Sequence, residues 1–469
     1  MTSRPHPGSK APSVQQLLDR ETRPVPDFLR AESQVDLGVE GVDIAKYLSR
    51  EYHDLEMEHV WRKVWQVACR EEEIPEVGDH IVYEIGPDSY IVVRSAPDRI
   101  MAFQNVCLHR GRLLRTQDGW VPEFRCPFHG FTWDLDGDLK HVPSRWDYPQ
   151  VEDDKFCLPQ ARTGTWGGWV FINLDPAAQP LEEYLEGLGD HFVTAKPEER
   201  YKSAHIAKVI PANWKVVLEA FLESLHINAT HPQVLQSVGD ENSELTVWPD
   251  KKHIQRVITP AGVPSPYLTD VEEQDVLDNY LLNRSYYGTG AAGRDLNASD
   301  EEVLLEEGQT AREYISDLLR EQLAPIVGEE RAQQSTTCEV LDAVLYFLFP
   351  NFTPWVATGL SLNYRFRPNG NDPDSSIMEI MYLTPVPPGE AKPPPAPVRW
   401  LAEDDDWTKA TELGRLGAIA NQDSGNLPYV QRGLHAMAAR GGSVTLARYQ
   451  EVLIRHFHQT LDSYINSNT

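Results

Sequence analysis

The chain has 469 residues, 41% of them hydrophobic, and its 71 acidic side chains outnumber 43 basic ones to give a net charge of −28. That length predicts two domains, each with apolar residues enough for a sizeable core. The acidic balance excludes nucleic acid and anionic membrane as partners, and no window holds the ~18 continuous apolar residues that a membrane span requires.

The start, MTSRPHPGSK, lacks the apolar core of a signal peptide, so a cytoplasmic location is expected. Residues 1–45 are polar and proline-bearing, with one helical stretch, VQQLLDRETRPVPDFLR. They read as an arm laid on the C-terminal domain or on a neighbour. A helix near 46–66 leads into short strand-like runs, HIVYEIG, SYIVVRSA, IMAFQNV, FTWDLDG and WGGWVFINL, separated by turn signals. The segment DPAAQPLEEYL closes this unit near residue 180.

Within that unit lies CLHRGRLLRTQDGWVPEFRCPFHG, which pairs Cys107 with His109 and Cys126 with His129 across a 16-residue gap. Two thiolates on one iron and two imidazoles on the other make a Rieske 2Fe-2S cluster, whose potential lies above that of an all-cysteine cluster. A tetrahedral zinc site is the alternative, but zinc loops usually pair Cys with Cys and His with His. Here each loop brings one of each, as a clamp on a two-metal object requires. Gly111, Pro127 and Gly130 support tight loops whose amides can turn toward the cluster sulfurs. Arg110, Arg112 and Arg115 beside the loops form a docking patch for an electron donor or pair with the acidic excess. Cys69, Cys157 and Cys338 are far apart and follow no disulfide pattern.

In ANWKVVLEAFLESLHINATHP the run from Trp214 to Leu225 is apolar nearly all round, which predicts a buried helix. Glu219, Glu223 and His226 form one polar stripe on it, facing a metal site or a subunit contact. His231 lies roughly 140° round an ideal helix from His226, so the helix is expected to break near Asn228 and Ala229 before Pro232. Taken alone, the two histidines are ligands or satisfied core residues. Residues 265–335, with GTGAAGRD at their centre, read as a flap or a solvated excursion. Strand-like runs HIAKVI, HIQRVIT, LSLNYRFRP and IMEIMYLTPV follow the same alternation, and PVPPGEAKPPPAPVR is an extended surface loop. The acidic run Glu403 to Asp406 is a solvated or helix-start patch. Leu413, Leu416, Ala420, Asp423 and Leu427 share helical spacing, so Asp423 falls on a buried face where a lone carboxylate needs a cation.

CLHRG, CPFHGFTWDLDG and TWGGWVFINLDP together resemble the Rieske domain of the non-haem iron ring-hydroxylating oxygenases, alpha subunit. The resemblance implies an α+β chain: an arm over 1–45, an antiparallel β Rieske domain over 46–180 and a helix-covered antiparallel-sheet catalytic domain over 181–469. It also implies a mononuclear Fe(II) held by two histidines and a carboxylate; His226, His231 and Asp423 are the candidates. Gln422 and Asp423, followed by Gln431, Gly433 and Leu434, resemble the place of the family's third iron ligand. Glu223 occupies the position of the carboxylate that links a Rieske histidine of one subunit to an iron histidine of the next. Relatives commonly carry Asn and Tyr where this chain has Ala220 and Leu225, which makes the site wall more apolar.

The activity implied by the resemblance is that of a terminal oxygenase, which hydroxylates, dihydroxylates or oxidatively dealkylates an aromatic or similarly hydrophobic small molecule with O2. Electrons come from NAD(P)H through a separate reductase, with or without a ferredoxin, because no dinucleotide fingerprint or second cysteine cluster is present. A homotrimer, with or without small beta subunits, is implied as well. Phe221, Leu225, Ile227, Leu235, Tyr346, Phe349 and Trp355 are candidates for the pocket wall, and VLYFLFPNFTPW resembles a pocket-lining strand. The competing class is a Rieske electron-transfer protein, which needs only the N-terminal third of such a chain. The further residues bearing HxxxxH and a buried-face Asp argue against it.

Overall fold

The computed structural model describes residues 11–33, 35–283 and 303–466. Two large sheets dominate the described residues. The N-terminal one contains β1 (Gln66–Arg70), β2 (Asp79–Ile85), β3 (Asp88–Ala96), β4 (Arg99–Gln104), β5 (Gly119–Trp120), β9 (Gln160–Trp166) and β10 (Trp169–Asn173), in the order β1-β10-β9-β4-β3-β2-β5. Between β5 and β9 a small three-stranded sheet, β6 (Phe124–Arg125), β7 (Thr132–Trp133) and β8 (Leu139–His141), projects from it.

The second sheet has eight strands: β11 (Arg200–Ile210), β12 (Glu244–Val247), β13 (Ile254–Thr259), β14 (Ala343–Leu348), β15 (Phe352–Val356), β16 (Ser361–Asn369), β17 (Asp372–Pro385) and β18 (Arg399–Leu401). Their order is β12-β13-β14-β15-β16-β17-β11-β18, antiparallel except between β11 and β18. Helices cover it: α1 (Trp214–Glu219), α2 (Ile227–Thr230), α3 (Glu273–Asn283), α4 (Ala311–Val327), α5 (Leu416–Ala438) and α6 (Val452–Asn466). The chain is thus α+β, as the resemblance implies and the strand and helix patterns allow.

Buried side chains of both sheets merge into one core that includes Trp61, Trp65, Phe171, Ile206 and Phe366. A polar cluster also crosses the junction. Glu379 on β17 accepts two 2.6 Å bonds from Arg365 and one of 3.0 Å from Arg367, both on β16, and lies 3.1 Å from His205 Nε2 on β11. Arg365 donates onward to the Val67 and Ala68 carbonyls of β1, and Arg367 to that of Glu84 on β2. Lys202, buried on β11, pairs with Glu73.

The arm packs on the second sheet of its own chain: Gln15 donates to Glu244 at 2.8 Å and Glu21 accepts the Thr337 amide at 2.6 Å. The described part of residues 265–335, the segment expected as a flap or excursion, contributes α3 and α4, which share an apolar core of Val276, Leu277, Tyr280, Ile315, Leu319 and Leu323. The GTGAAGRD part of that expectation lies outside the described residues. Asp406, from the acidic run, caps the turn before α5 by accepting the Thr408 amide. Among the described residues no helix is long and apolar enough to cross a membrane.

Candidate cluster and metal sites

The two cysteine loops are built alike. In each, the cysteine amide donates to the carbonyl five residues on (Arg112, Phe131), and the glycine four residues on returns a bond to the cysteine carbonyl. Gly111 and Gly130 take φ of 74° and 82°, a left-handed conformation that costs a side-chain-bearing residue more than glycine. Cys107 and Cys126 are buried, whereas His109 is half-buried and His129 exposed, their ring centroids 4.7 Å apart. Burial raises the Cys107 thiol above its usual range and the neighbouring Cys126 thiol adds to the rise, while the backbone amides of His109 and Arg110 oppose it. Those amides aim at the sulfur, where they can tune a cluster. His109 Nδ1 is buried without a hydrogen-bond partner, while Phe131 stacks on the ring at 4.6 Å. A buried imidazole nitrogen without a hydrogen-bond partner beside two buried thiols fits a 2Fe-2S cluster.

The second donor set lies under the eight-stranded sheet. Helix α1 ends at Glu219, earlier than the predicted Leu225, because the chain tightens into turns: the Phe221 amide bonds the Leu218 carbonyl and the Leu222 amide bonds that of Glu219. The Glu223 carboxylate then accepts the His226 amide at 2.9 Å. The expected break near Asn228 and Ala229 does not occur. Those residues form the single turn α2, and the two histidines cap its ends, with His231 leaving helical geometry at φ −124°, ψ 50°. Capping positions on one short turn bring together two rings that a continuous helix would point apart.

His226, His231 and Asp423 offer ligand atoms all within 4.8 Å of one another. Asp423 Oδ1 is 2.7 Å from His231 Nε2 and 3.7 Å from His226 Nε2, yet it is buried and makes no hydrogen bond. Nearness without a hydrogen bond is what donors converging on a shared cation produce. Both imidazoles have their outer nitrogens engaged: His226 Nδ1 lies 2.7 Å from Glu223 Oε1 and His231 Nδ1 lies 2.9 Å from Gln422 Oε1. Protons on Nδ1 leave both Nε2 lone pairs free to ligate. Burial works against a charged His226, but the Glu223 hydrogen bond and the Asp423 charge outweigh it and raise its pKa. The set fits a two-histidine, one-carboxylate iron site with open positions.

Beside it is a cavity of about 190 Å³, below the ~300–1,000 Å³ typical of ligand sites. One face of the sheet supplies its wall through Val257, Leu345 and Trp355, which pair across neighbouring strands, and Tyr364. Phe221, Ile227 and Trp355 of the expected pocket residues line it; Leu225, Leu235, Tyr346 and Phe349 do not. Tyr346 is one residue out of phase with Leu345, so it faces the opposite side of β14, where its hydroxyl lies 2.8 Å from His191 Nδ1. Phe349 lies beyond the end of β14 and stacks on Tyr464. Val234 and Val238 line the wall on either side of Leu235. Tyr364 was legible in principle from the alternation in LSLNYRFRP, once one member of that face was known. A second cavity, of about 300 Å³, opens on the other side of Glu223 and His226 and is lined also by Glu219 and Glu451.

A loop clamp of two thiols and two imidazoles, with a separate set of two imidazoles and a carboxylate, defines an iron protein with two centres. The sequence matches the Rieske [2Fe-2S] domain over residues 64–152 and the ring hydroxylating alpha subunit (catalytic domain) over 193–467, and the chain belongs to that alpha-subunit family. The family's cofactors are a Rieske 2Fe-2S cluster and a mononuclear non-haem iron. The oxygenase subunit of carnitine monooxygenase from Escherichia coli (strain K12) is 33% identical over 195 residues, 41% of this chain and 52% of that one. The alpha subunit of biphenyl dioxygenase from Paraburkholderia xenovorans (strain LB400) is 30% identical over 221 residues, 43% and 46% of the two chains. These alignments span about half the length of the curated relatives. A solved quaternary ammonium Rieske monooxygenase has the same fold, with TM-score 0.64 and 16% identity over 93% of this chain and 100% of the other.

Proposed function

We propose that the chain is the terminal oxygenase subunit of a multicomponent system, using O2 and electrons from NAD(P)H to oxygenate a small, largely apolar molecule. The observation that carries this reading is the convergence of His226, His231 and Asp423, whose buried Oδ1 makes no hydrogen bond, on the wall of a largely apolar cavity. An electron-transfer protein has no use for such a cavity. The cluster on Cys107, His109, Cys126 and His129 supplies single electrons, and the iron on the other three residues supplies the centre where O2 is activated.

The chain's own residues do the rest. The apolar wall excludes water and orients the substrate; Glu223 holds the Nδ1 proton of His226 and, through its position between the two cavities, links this site to the Rieske histidines of a neighbouring copy. A cyclic homotrimer follows from that link, with residues 1–45, 46–180 and 181–469 as arm, cluster domain and catalytic domain. A separate reductase, with or without a ferredoxin, docks near Arg110 and Arg112, both exposed. The unpaired cysteines accord with a cytoplasmic setting.

Among the described residues no Lys or Arg lines the cavity, while Asp423 and Glu223 do. An anionic substrate would meet like charge, so the substrate is neutral or cationic. The largely apolar wall favours an uncharged aromatic body. The cluster of Phe221, Trp355 and Tyr364, with Phe221 and Tyr364 centroids 4.7 Å apart, supports a second reading: a quaternary ammonium group held by cation–π contact. Coupled O2 uptake, with product identified by mass, is to be compared for biphenyl and carnitine in the presence of a reductase. Product from either supports oxygenation and selects the class; uptake unchanged by both with only peroxide formed counts against each. Ala343→Phe, which adds a ring to the cavity wall, is expected to lower kcat/KM about 10–100-fold at unchanged metal content, matching an overpacking cost of ~1–3 kcal/mol.

A further inference from the structure

The two site histidines are oriented by chemically different partners. His226 is held by a carboxylate, Glu223, but His231 is held by a neutral amide, Gln422, whose Oε1 lies 2.9 Å from His231 Nδ1. The same Oε1 accepts a second bond, 2.9 Å, from Gln233 Nε2. Gln422 Nε2 faces Gln233 Oε1 at 3.5 Å, so the two side-chain amides lie head to tail. This pairing couples the two amides, so Gln422 cannot turn its other end to the imidazole unless Gln233 turns as well. If the amide flipped, an N–H would face His231 Nδ1, the ring proton would move to Nε2, and the nitrogen nearest Asp423 could no longer ligate.

Gln233 is itself anchored. Its main-chain carbonyl accepts 3.0 Å bonds from Asn279 and Asn283, both on α3, and Asn279 Oδ1 accepts from Ser237 Oγ at 2.6 Å. A chain of uncharged amides therefore runs from α3 through Gln233 and Gln422 to one imidazole. We propose that Gln422 is a positioning residue that sets the His231 tautomer, and that Gln233 acts through it by fixing its amide orientation. The proposal rests on His231 being a metal ligand.

A neutral partner also sets the charge of the site. A divalent cation is balanced by Asp423 and Glu223, leaving the ensemble near neutral; an anionic partner at residue 422 would add one negative charge.

The test is anaerobic calorimetric titration of Co(II) into cluster-loaded protein stripped of its other metal. Gln422→Leu is expected to weaken binding about 10–100-fold, Gln422→Glu, which keeps an acceptor for His231, to bind at least as tightly as the parent, and Gln233→Leu to fall between. Affinity of Gln422→Leu within about twofold of the parent, or equal losses in the Leu and Glu variants, would overturn the proposal. Gln233→Leu touches no ligand, so full affinity there would overturn its part even if Gln422→Leu failed to fold. Absence of Co(II) binding by the parent, or its survival in His231→Ala, would instead defeat the ligand assignment.

Discussion

Asp423→Asn is expected to abolish oxygenation, by at least about 10³-fold, while leaving the reduced Rieske signal unchanged. Loss of a metal centre removes several kcal/mol of transition-state stabilisation. The effect of the same substitution on metal-free protein has the opposite sign. There the Asp423 carboxylate is buried with Oδ1 unpartnered, a state that costs about 1–3 kcal/mol or more for a charged group. Asn removes the charge, so metal-free Asp423→Asn is expected to melt no lower than metal-free parent, whereas iron stabilises the parent alone. Retained activity, or a large loss of stability in the metal-free variant, would show that Asp423 serves the fold rather than the metal.

Replacing Glu379 should give the largest loss of stability. Its carboxylate is the common partner of Arg365, Arg367 and His205, all buried. Removing one member of a buried ion pair leaves uncompensated charge and typically costs about 3–5 kcal/mol. Glu379→Ala is therefore expected to lower the unfolding free energy by about that amount, measured by urea denaturation, and to loosen the contact with the cluster sheet, since Arg365 and Arg367 also hold the Val67, Ala68 and Glu84 carbonyls. Burial opposes ionisation of Glu379, but the two arginines and their hydrogen bonds, with that from His205, more than offset it and hold its pKa well below the usual range. A carboxylate depressed in the folded state contributes stability above its unfolded pKa and loses it as pH falls through the folded value. The parent should thus lose stability on acidification below about pH 4.5, and Glu379→Gln should lack that part of the slope.

The Rieske domain was legible because its chemistry is local: the four candidate ligands and their glycines lie within 24 residues, and their spacing favours a two-metal clamp over zinc. The strands were legible where alternation was clean, as in HIVYEIG and SYIVVRSA. Other features depend on contacts between distant segments. Nothing near Glu379 in the sequence reveals Arg365 and His205, because strand register across β16, β17 and β11 makes those neighbours. The end of α1 at Glu219 was hidden because apolar periodicity continues to Leu225, while the Glu223 carboxylate competes for the His226 amide. Tyr346 and Phe349 look like pocket residues by composition, and only the phase of β14 assigns them to the other side. The described part of residues 265–335 looks like a polar loop in sequence because α3 and α4 expose charged faces around a narrow apolar seam.

Metal and acid-labile sulfide content per chain, with EPR of the dithionite-reduced protein after ferrous reconstitution, tests the presence of two iron centres most directly. About three irons and two sulfides per chain with a Rieske signal are expected, falling to about two irons in Asp423→Asn with that signal intact. Zinc without sulfide, or an iron count unchanged by that substitution, would contradict the two-centre assignment.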